Sequence, residues 1–106
     1  MNLSKFNEIK ALLGDDFATL LVVYQADTSH RLEEIENAIK AKDFNKIRQL
    51  SHAMKSSSAN IGADEVSSIA ATIENAAKEE IAETISDSLA GLKKAIEEAI
   101  QIMNNE

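Results

Sequence analysis

The chain has no cysteine, no proline and no tryptophan among its 106 residues, and only three glycines, at positions 14, 62 and 91. Without cysteine there is no disulfide and no thiolate chemistry, which fits a reducing compartment. Without proline, and with so little glycine, almost nothing interrupts a helix. Apolar runs are only a few residues long, too short to span a bilayer. Met1 to Lys5 lack the apolar stretch of a secretory leader. The expectation is a cytoplasmic protein, or a piece of a larger one, with no membrane contact. Basic residues are also scarce, 11 against 18 acidic, for a net charge of −7. Phosphate backbones are gripped by clustered Lys and Arg, so nucleic acid is not an expected partner. The acid excess reads as solubility.

What remains is rich in Ala, Leu, Ile, Glu and Lys, the residues of an all-α chain. The length suits one domain, residues 1–106, and buries roughly two-thirds of its unfolded surface without staples. Leu3, Phe6, Ile9 and Leu13 recur at helical spacing, predicting a short helix from Ser4 that Gly14 ends. Asp15 or Asp16 is placed to cap a second helix, to about Lys42. Its stripe is Phe17, Leu20, Leu21, Tyr24, Thr28, Leu32, Ile35 and Ile39. Val22 and Val23 lie off that stripe. Packing under the first helix is the favoured reading, and an apolar patch for a partner is the other. Asp43 caps a third helix from Phe44 to about Ile61, closed by Gly62. Asp64 is the expected cap of a fourth, with Val66, Ile69, Ala70, Ile73, Ala76 and Ala77 inward. A turn near Lys78–Glu80 carries no Gly or Pro to mark it. The fifth helix turns Ile81, Ile85, Leu89, Leu92, Ile96, Ile100 and Met103 inward, and Asn104 to Glu106 are expected to fray. Short connections make neighbours antiparallel. The fold class is an up-down antiparallel four-helix bundle with a short additional N-terminal helix as a lid, closed enough to be a monomer.

Two histidines are present. His30 follows Asp27 in an isolated D-x-x-H, far from the paired Glu-x-x-His sets of a di-metal bundle, and reads as a solvated surface ring. His52 is more informative. With Ile47 at 0° on a helical wheel, Leu50, Met54, Ser57, Ser58 and Ile61 fall in a sector around 320°, roughly, and His52 at about 140°. His52 therefore faces solvent from mid-helix. Arg48, Lys55 and Ser56 lie one turn away on its face, with Asn45 and Ala59 a further turn out. Cations beside the ring disfavour an imidazolium and leave neutral, nucleophilic imidazole. They also suit an anion placed on it. Ser56 and Ala59 keep the approach open, while Ser57 and Ser58 permit close helix packing. No acidic residue stands at i±3 or i±4 of His52 to orient it. There is no catalytic triad context, no histidine pair for zinc and no Gly-rich phosphate loop. Neither a resident cofactor nor a metal is expected. A plain surface histidine remains the alternative to a nucleophile awaiting a reactive group from a partner.

The stretch Leu50-Ser51-His52-Ala53-Met54-Lys55-Ser56-Ser57-Ser58-Ala59-Asn60-Ile61-Gly62-Ala63 resembles the phosphoacceptor motif of histidine-containing phosphotransfer (HPt) domains. That motif has His, any residue, Leu or Met, Lys, a small residue, and later an apolar residue and Gly. Leu12-Leu13-Gly14-Asp15-Asp16-Phe17 and Ala41-Lys42-Asp43-Phe44 resemble the family's helix boundaries. The resemblance implies a four-helix bundle relaying phosphoryl groups between receiver-domain aspartates, a phosphocarrier without stand-alone turnover. It implies His52 as phosphoacceptor and Lys55 as support for phosphoryl charge, with Mg²⁺ and catalysis supplied by the receiver. Ser56 stands where Gly is frequent and narrows the docking face. Glu74 stands near where the family often has an amide, and a carboxylate there is expected to be less welcoming to a phosphoryl group. The implied partners are response-regulator receiver domains, with a hybrid sensor histidine kinase as a further candidate. The docking surface takes in Asn45, Arg48, Gln49, Ser56 and Ala59, with Val22 and Val23. The competing function is an interaction bundle that docks receivers without carrying phosphate. A metal-dependent or hydrolytic enzyme is the remote third.

Overall fold

A computed structural model describes residues 1–106. The helices are α1 (Leu3–Leu13), α2 (Phe17–Lys40), α3 (Phe44–Ile61), α4 (Asp64–Lys78) and α5 (Ala82–Asn105), with one 3₁₀ turn at Gly14–Asp16 between the first two. Helices α2 to α5 pack each against the next in sequence, and α5 closes the ring onto α2. The result is the expected up-down bundle, 41 × 19 × 19 Å. The long dimension follows from 24-residue helices rising about 1.5 Å per residue. Ile35, Met54, Ile73 and Leu92, one from each long helix, are all fully buried. They form one layer of a core of 20 buried residues.

The three connections of the bundle share one geometry. In each, a residue one or two positions past the helix adopts a positive φ: Lys42 at 54°, Gly62 at 85°, Glu80 at 56°. The N–H of the next residue reaches back five positions, from Asp43 to Ala38, Ala63 to Ser58 and Ile81 to Ala76. The positive-φ residue itself bonds three positions back, to Ile39, Ala59 and Ala77 respectively. These are Schellman closures, each followed at once by the N-cap of the next helix. Only one uses glycine. Hence α2 stops at Lys40 rather than Lys42, and the turn at Glu79–Glu80 carries no breaker. The same geometry moves a cap. Asp43 accepts from the Lys46 N–H at 3.1 Å as expected, but Ala63 occupies the N-cap of α4 and Asp64 is already helical. Asp15 and Asp16 do not cap α2 either, since the 3₁₀ turn runs into the helix and Asp16 has helical backbone angles.

At one end of the bundle α1 forms a lid. The Asn2 side chain caps α1 through the Lys5 N–H, and the Asn2 N–H donates to the Gly62 carbonyl at 2.7 Å. Phe6 is buried against Phe17, edge to face, with centroids 5.1 Å apart. The other apolar residues of α1 are half-buried or exposed. Because α1 covers only the end, it does not shelter Val22 and Val23, which are 69% and 49% exposed, and the packing reading for them fails. Ile81 is likewise 41% exposed, because it is a cap residue outside the helical stripe. The C-terminal residues expected to fray are helical to Asn105. Helix α5 continues to Asn105, held by Gln25 on Asn104 at 2.8 Å and by Lys10 on the Glu106 carbonyl at 3.0 Å. Ser58 and Tyr24 share a buried hydrogen bond of 2.7 Å between α3 and α2. Burial raises the Tyr24 phenol above its usual range, and that bond opposes the shift.

Gly62 sits where its backbone carbonyl holds Asn2, and a Cβ there would lie 2.7 Å from the Asn2 carbonyl oxygen. Gly62→Ala is expected to cost about 2 kcal/mol or more from left-handed strain plus that clash. Lys42→Gly and Glu80→Gly, at the matching positions, should each stabilise by up to about 1 kcal/mol. Urea unfolding of the three variants measures both signs.

Candidate functional site

Helix α3 has Ile47, Ser51, Met54, Ser58 and Ile61 buried, at spacings of four and three. The opposite side is left to His52, whose side chain is 58% exposed. Asn45, Gln49 and Ser56 are exposed on the same helix, and Arg48 and Ala59 are half-buried. Ser51 completes the inward stripe, its hydroxyl donating to the Ile47 carbonyl at 2.7 Å. The partner helix is α4. Ser67 on α4 donates to the backbone carbonyl of Lys55 at 2.9 Å, which requires the two helices to approach very closely.

That approach brings Glu74, two turns along α4, against the histidine. Its carboxylate is only 4% exposed, and one oxygen lies 2.8 Å from His52 Nδ1. The other oxygen lies 2.6 Å from Lys55 Nζ. Lys78, one turn on, is 3.8 Å from the histidine-bound oxygen. The hydrogen bond from Lys55 holds the Glu74 carboxyl below the usual glutamate range; burial opposes the shift and the His52 bond adds to it. Glu74 is therefore an ionised carboxylate, which can only accept. Its partner Nδ1 must then carry hydrogen, so the neutral ring presents its lone pair at Nε2. His52 makes its hydrogen bond through Nδ1 alone.

The expected cationic niche is thus differently built. Arg48 turns away and donates to Asn45 Oδ1 at 3.0 Å, while the Lys55 charge is matched by Glu74. The orienting acid that α3 lacks comes from 22 residues further along the chain. Glu74 is the ring's partner on its Nδ1 edge and leaves Nε2 without a hydrogen bond. The carboxylate expected to be less welcoming to a phosphoryl group is thus hydrogen-bonded to the ring and to Lys55. Ser67 and Lys78 are additional parts of the site that helical phase on α3 could not indicate. His30 is separate: its side chain is 71% exposed and pairs with Glu34 at 3.1 Å, not with Asp27. Val23 lines a shallow groove between α2 and α3 with Leu20, Asp27, Ser57 and Asn60; Val22 is beside it on α2, and neither touches the histidine cluster.

The family model described as the Hpt domain matches residues 19–102 of the chain. Among solved structures, the chain is similar to histidine-containing phosphotransfer protein B (HptB) from Pseudomonas aeruginosa PAO1, with a TM-score of 0.93 and 18% identity over 96% of this chain and 89% of that one. At that identity the likeness speaks to fold. No curated protein matches the chain.

Because the folded-state Glu74 carboxyl titrates below its unfolded counterpart, its stabilisation is present above the unfolded value and is lost as pH falls through the folded one. Glu74→Gln should cost about 1 to 3 kcal/mol near pH 7, a difference that shrinks progressively below about pH 4. Urea midpoints of both proteins at pH 7 and pH 3 check this. A difference that does not change with pH removes the ion pairs as its cause.

Proposed function

The chain belongs to the histidine-containing phosphotransfer family, and from that premise we propose that Nε2 of His52 is the atom that carries the phosphoryl group. The chain is a histidine phosphotransfer module of phosphorelay signalling, a phosphocarrier rather than a stand-alone enzyme. What supports the atomic assignment is one observation: the His52 side chain is exposed, with Nδ1 engaged by a buried carboxylate and Nε2 without a hydrogen-bond partner. In the proposed reaction a receiver aspartyl phosphate docks on α3. The Nε2 lone pair attacks phosphorus in line as the acyl O–P bond breaks. Mg²⁺ held by the receiver would supply electrostatic stabilisation of the transferring group.

Lys55 is assigned to the phosphoryl oxygens. Its ammonium is held by Glu74, the same carboxylate that holds the ring. The docking surface is assigned to Asn45, Arg48, Gln49, Ser56 and Ala59 around the ring. Val22 and Val23 extend it across α2, where their exposure gives apolar area to bury. The partners are response-regulator receivers, with a hybrid sensor kinase as one source of such a domain. No helix is long and apolar enough to cross a membrane, and we place the chain in the cytoplasm as a monomer.

A phosphorylated receiver with Mg²⁺ should label the chain with an acid-labile, alkali-stable phosphate. His52→Gln should abolish the label and His30→Gln should leave it. Label that survives loss of His52 overturns the assignment, and receiver binding with no transfer in the wild type favours a docking bundle instead. Lys55→Ala should fold and transfer about ten- to a hundredfold more slowly, the worth of one charge-assisted hydrogen bond. Unchanged transfer removes Lys55 from the reaction.

A further inference from the structure

A histidine that both accepts and gives up a phosphoryl group has a difficulty at the second step. A ring bearing phosphorus on Nε2 and no proton on Nδ1 must leave as imidazolate, a very poor leaving group. With a proton on Nδ1 the ring leaves as neutral imidazole. The reactivity of the loaded ring therefore depends on what stands at Nδ1. In this protein it is an ionised, almost fully buried carboxylate at 2.8 Å. An amide oxygen at the same place would accept the hydrogen without a charge to oppose the ring's.

We propose that Glu74 is a positioning residue that keeps the proton on Nδ1 of His52 through loading and unloading, and so holds the phosphohistidine in its labile imidazolium form. The inference rests on His52 being the phosphoacceptor. During loading, the Nε2 pair forms the N–P bond while the donor's O–P pair departs with the donor carboxylate. The ring becomes positive because Nδ1 retains its hydrogen against Glu74. During unloading the acceptor carboxylate bonds phosphorus, the N–P pair returns to Nε2, and the ring is neutral again with Nδ1 still protonated. No proton is exchanged with solvent in either direction.

The surrounding charges allow this. From α3, Glu74 meets His52 and Lys55; from its own helix, Lys78. Arg48, also on α3, is turned to Asn45. Helix α5, on the other flank of α4, sets no ion-pairing group against it, and its Lys93 is engaged with Glu36 of α2 at 3.1 Å. Before loading, Lys55 offsets the Glu74 charge. After loading, the phosphoryl oxygens compete for Lys55, and each step of its departure leaves more of the carboxylate's charge to the imidazolium. The exchange strengthens the Nδ1 bond when the ring is positive.

Potassium phosphoramidate tests this without any receiver, since it passes its phosphoryl group to imidazole with loss of ammonia. The full chain is loaded in a His30→Gln background, with and without Glu74→Gln, and decay is followed by ³¹P NMR from pH 6 to pH 9. The Glu74 protein should keep its rapid decay to higher pH. At pH 8 the Gln variant should hold its phosphate about tenfold longer, the effect of moving one protonation equilibrium by one unit. Equal lifetimes overturn the role of Glu74 while leaving His52 as the acceptor. No phosphate on His52 in the Glu74 protein overturns the acceptor assignment and this inference with it. Independently of any variant at Glu74, ¹⁵N NMR of the unloaded neutral ring should find its hydrogen on Nδ1, and hydrogen on Nε2 sinks the proposal.

Discussion

A carboxylate with 4% exposure can stay ionised only if cations and donors replace the water it has lost. At Glu74 the replacement is local and nearly complete: one oxygen on the histidine, the other on Lys55, and Lys78 at a longer distance. The role proposed for the histidine depends on this. The ring's tautomer follows from it, since an ionised acceptor demands a donor. So does the position of Lys55, whose flexible stem would otherwise sample many rotamers at an entropic cost on binding a phosphoryl group.

The contact exists because the helices are held in register by backbone chemistry. The Schellman closure at Gly62 and Ala63 turns the chain within two residues and sends α4 straight back along α3. The Ser67 hydroxyl on the Lys55 carbonyl fixes the separation one and a half turns later, and Glu74 arrives opposite His52. The carbonyl of that same Gly62 holds the N-terminal lid through Asn2. Thus one left-handed residue anchors both the hairpin that assembles the site and the helix that covers the end of the bundle.

Much of this was legible in the sequence because helical phase is a local property. The spacing of Ile47, Met54, Ser58 and Ile61 placed His52 outside, and the same spacing places Ser51 inside, although a serine attracts no notice in an apolar count. The four long helices and their antiparallel order followed from stripes and short connections. Cap positions were less legible. An Asp before an apolar stripe is a capping signal only if the preceding turn leaves it extended, and at Asp64 the closure uses Ala63 for that purpose. Lys42 and Glu80 take positive φ where glycine would be the residue to expect, so both turns could be placed only approximately, with no breaker to mark them. The resemblance put Glu74 near the site, but its hydrogen bond to the ring was the least legible feature. It joins residues 22 apart through a helix separation that depends on side-chain volume and on the Ser67 bond, and periodicity along α3 carries no information about it.

The charge around the ring illustrates how far a list of neighbours can mislead. On α3 alone, His52 has Arg48 and Lys55 one turn to either side and no acid, and the sum is a cationic niche. Across the interface the sum changes. Lys55 and Glu74 balance, Arg48 is directed at Asn45, and the ring sits against a carboxylate on one edge with solvent on the other. For a carrier that must be filled and emptied by similar chemistry, this is a more suitable field than a fixed cation pair. Uncompensated cations beside the ring would stabilise the loaded anion and hold it there. In the proposed reaction a lysine already committed to a carboxylate is lent to the phosphoryl group and taken back, so the loaded and empty states differ by less, and a smaller free-energy difference between states favours transfer in both directions.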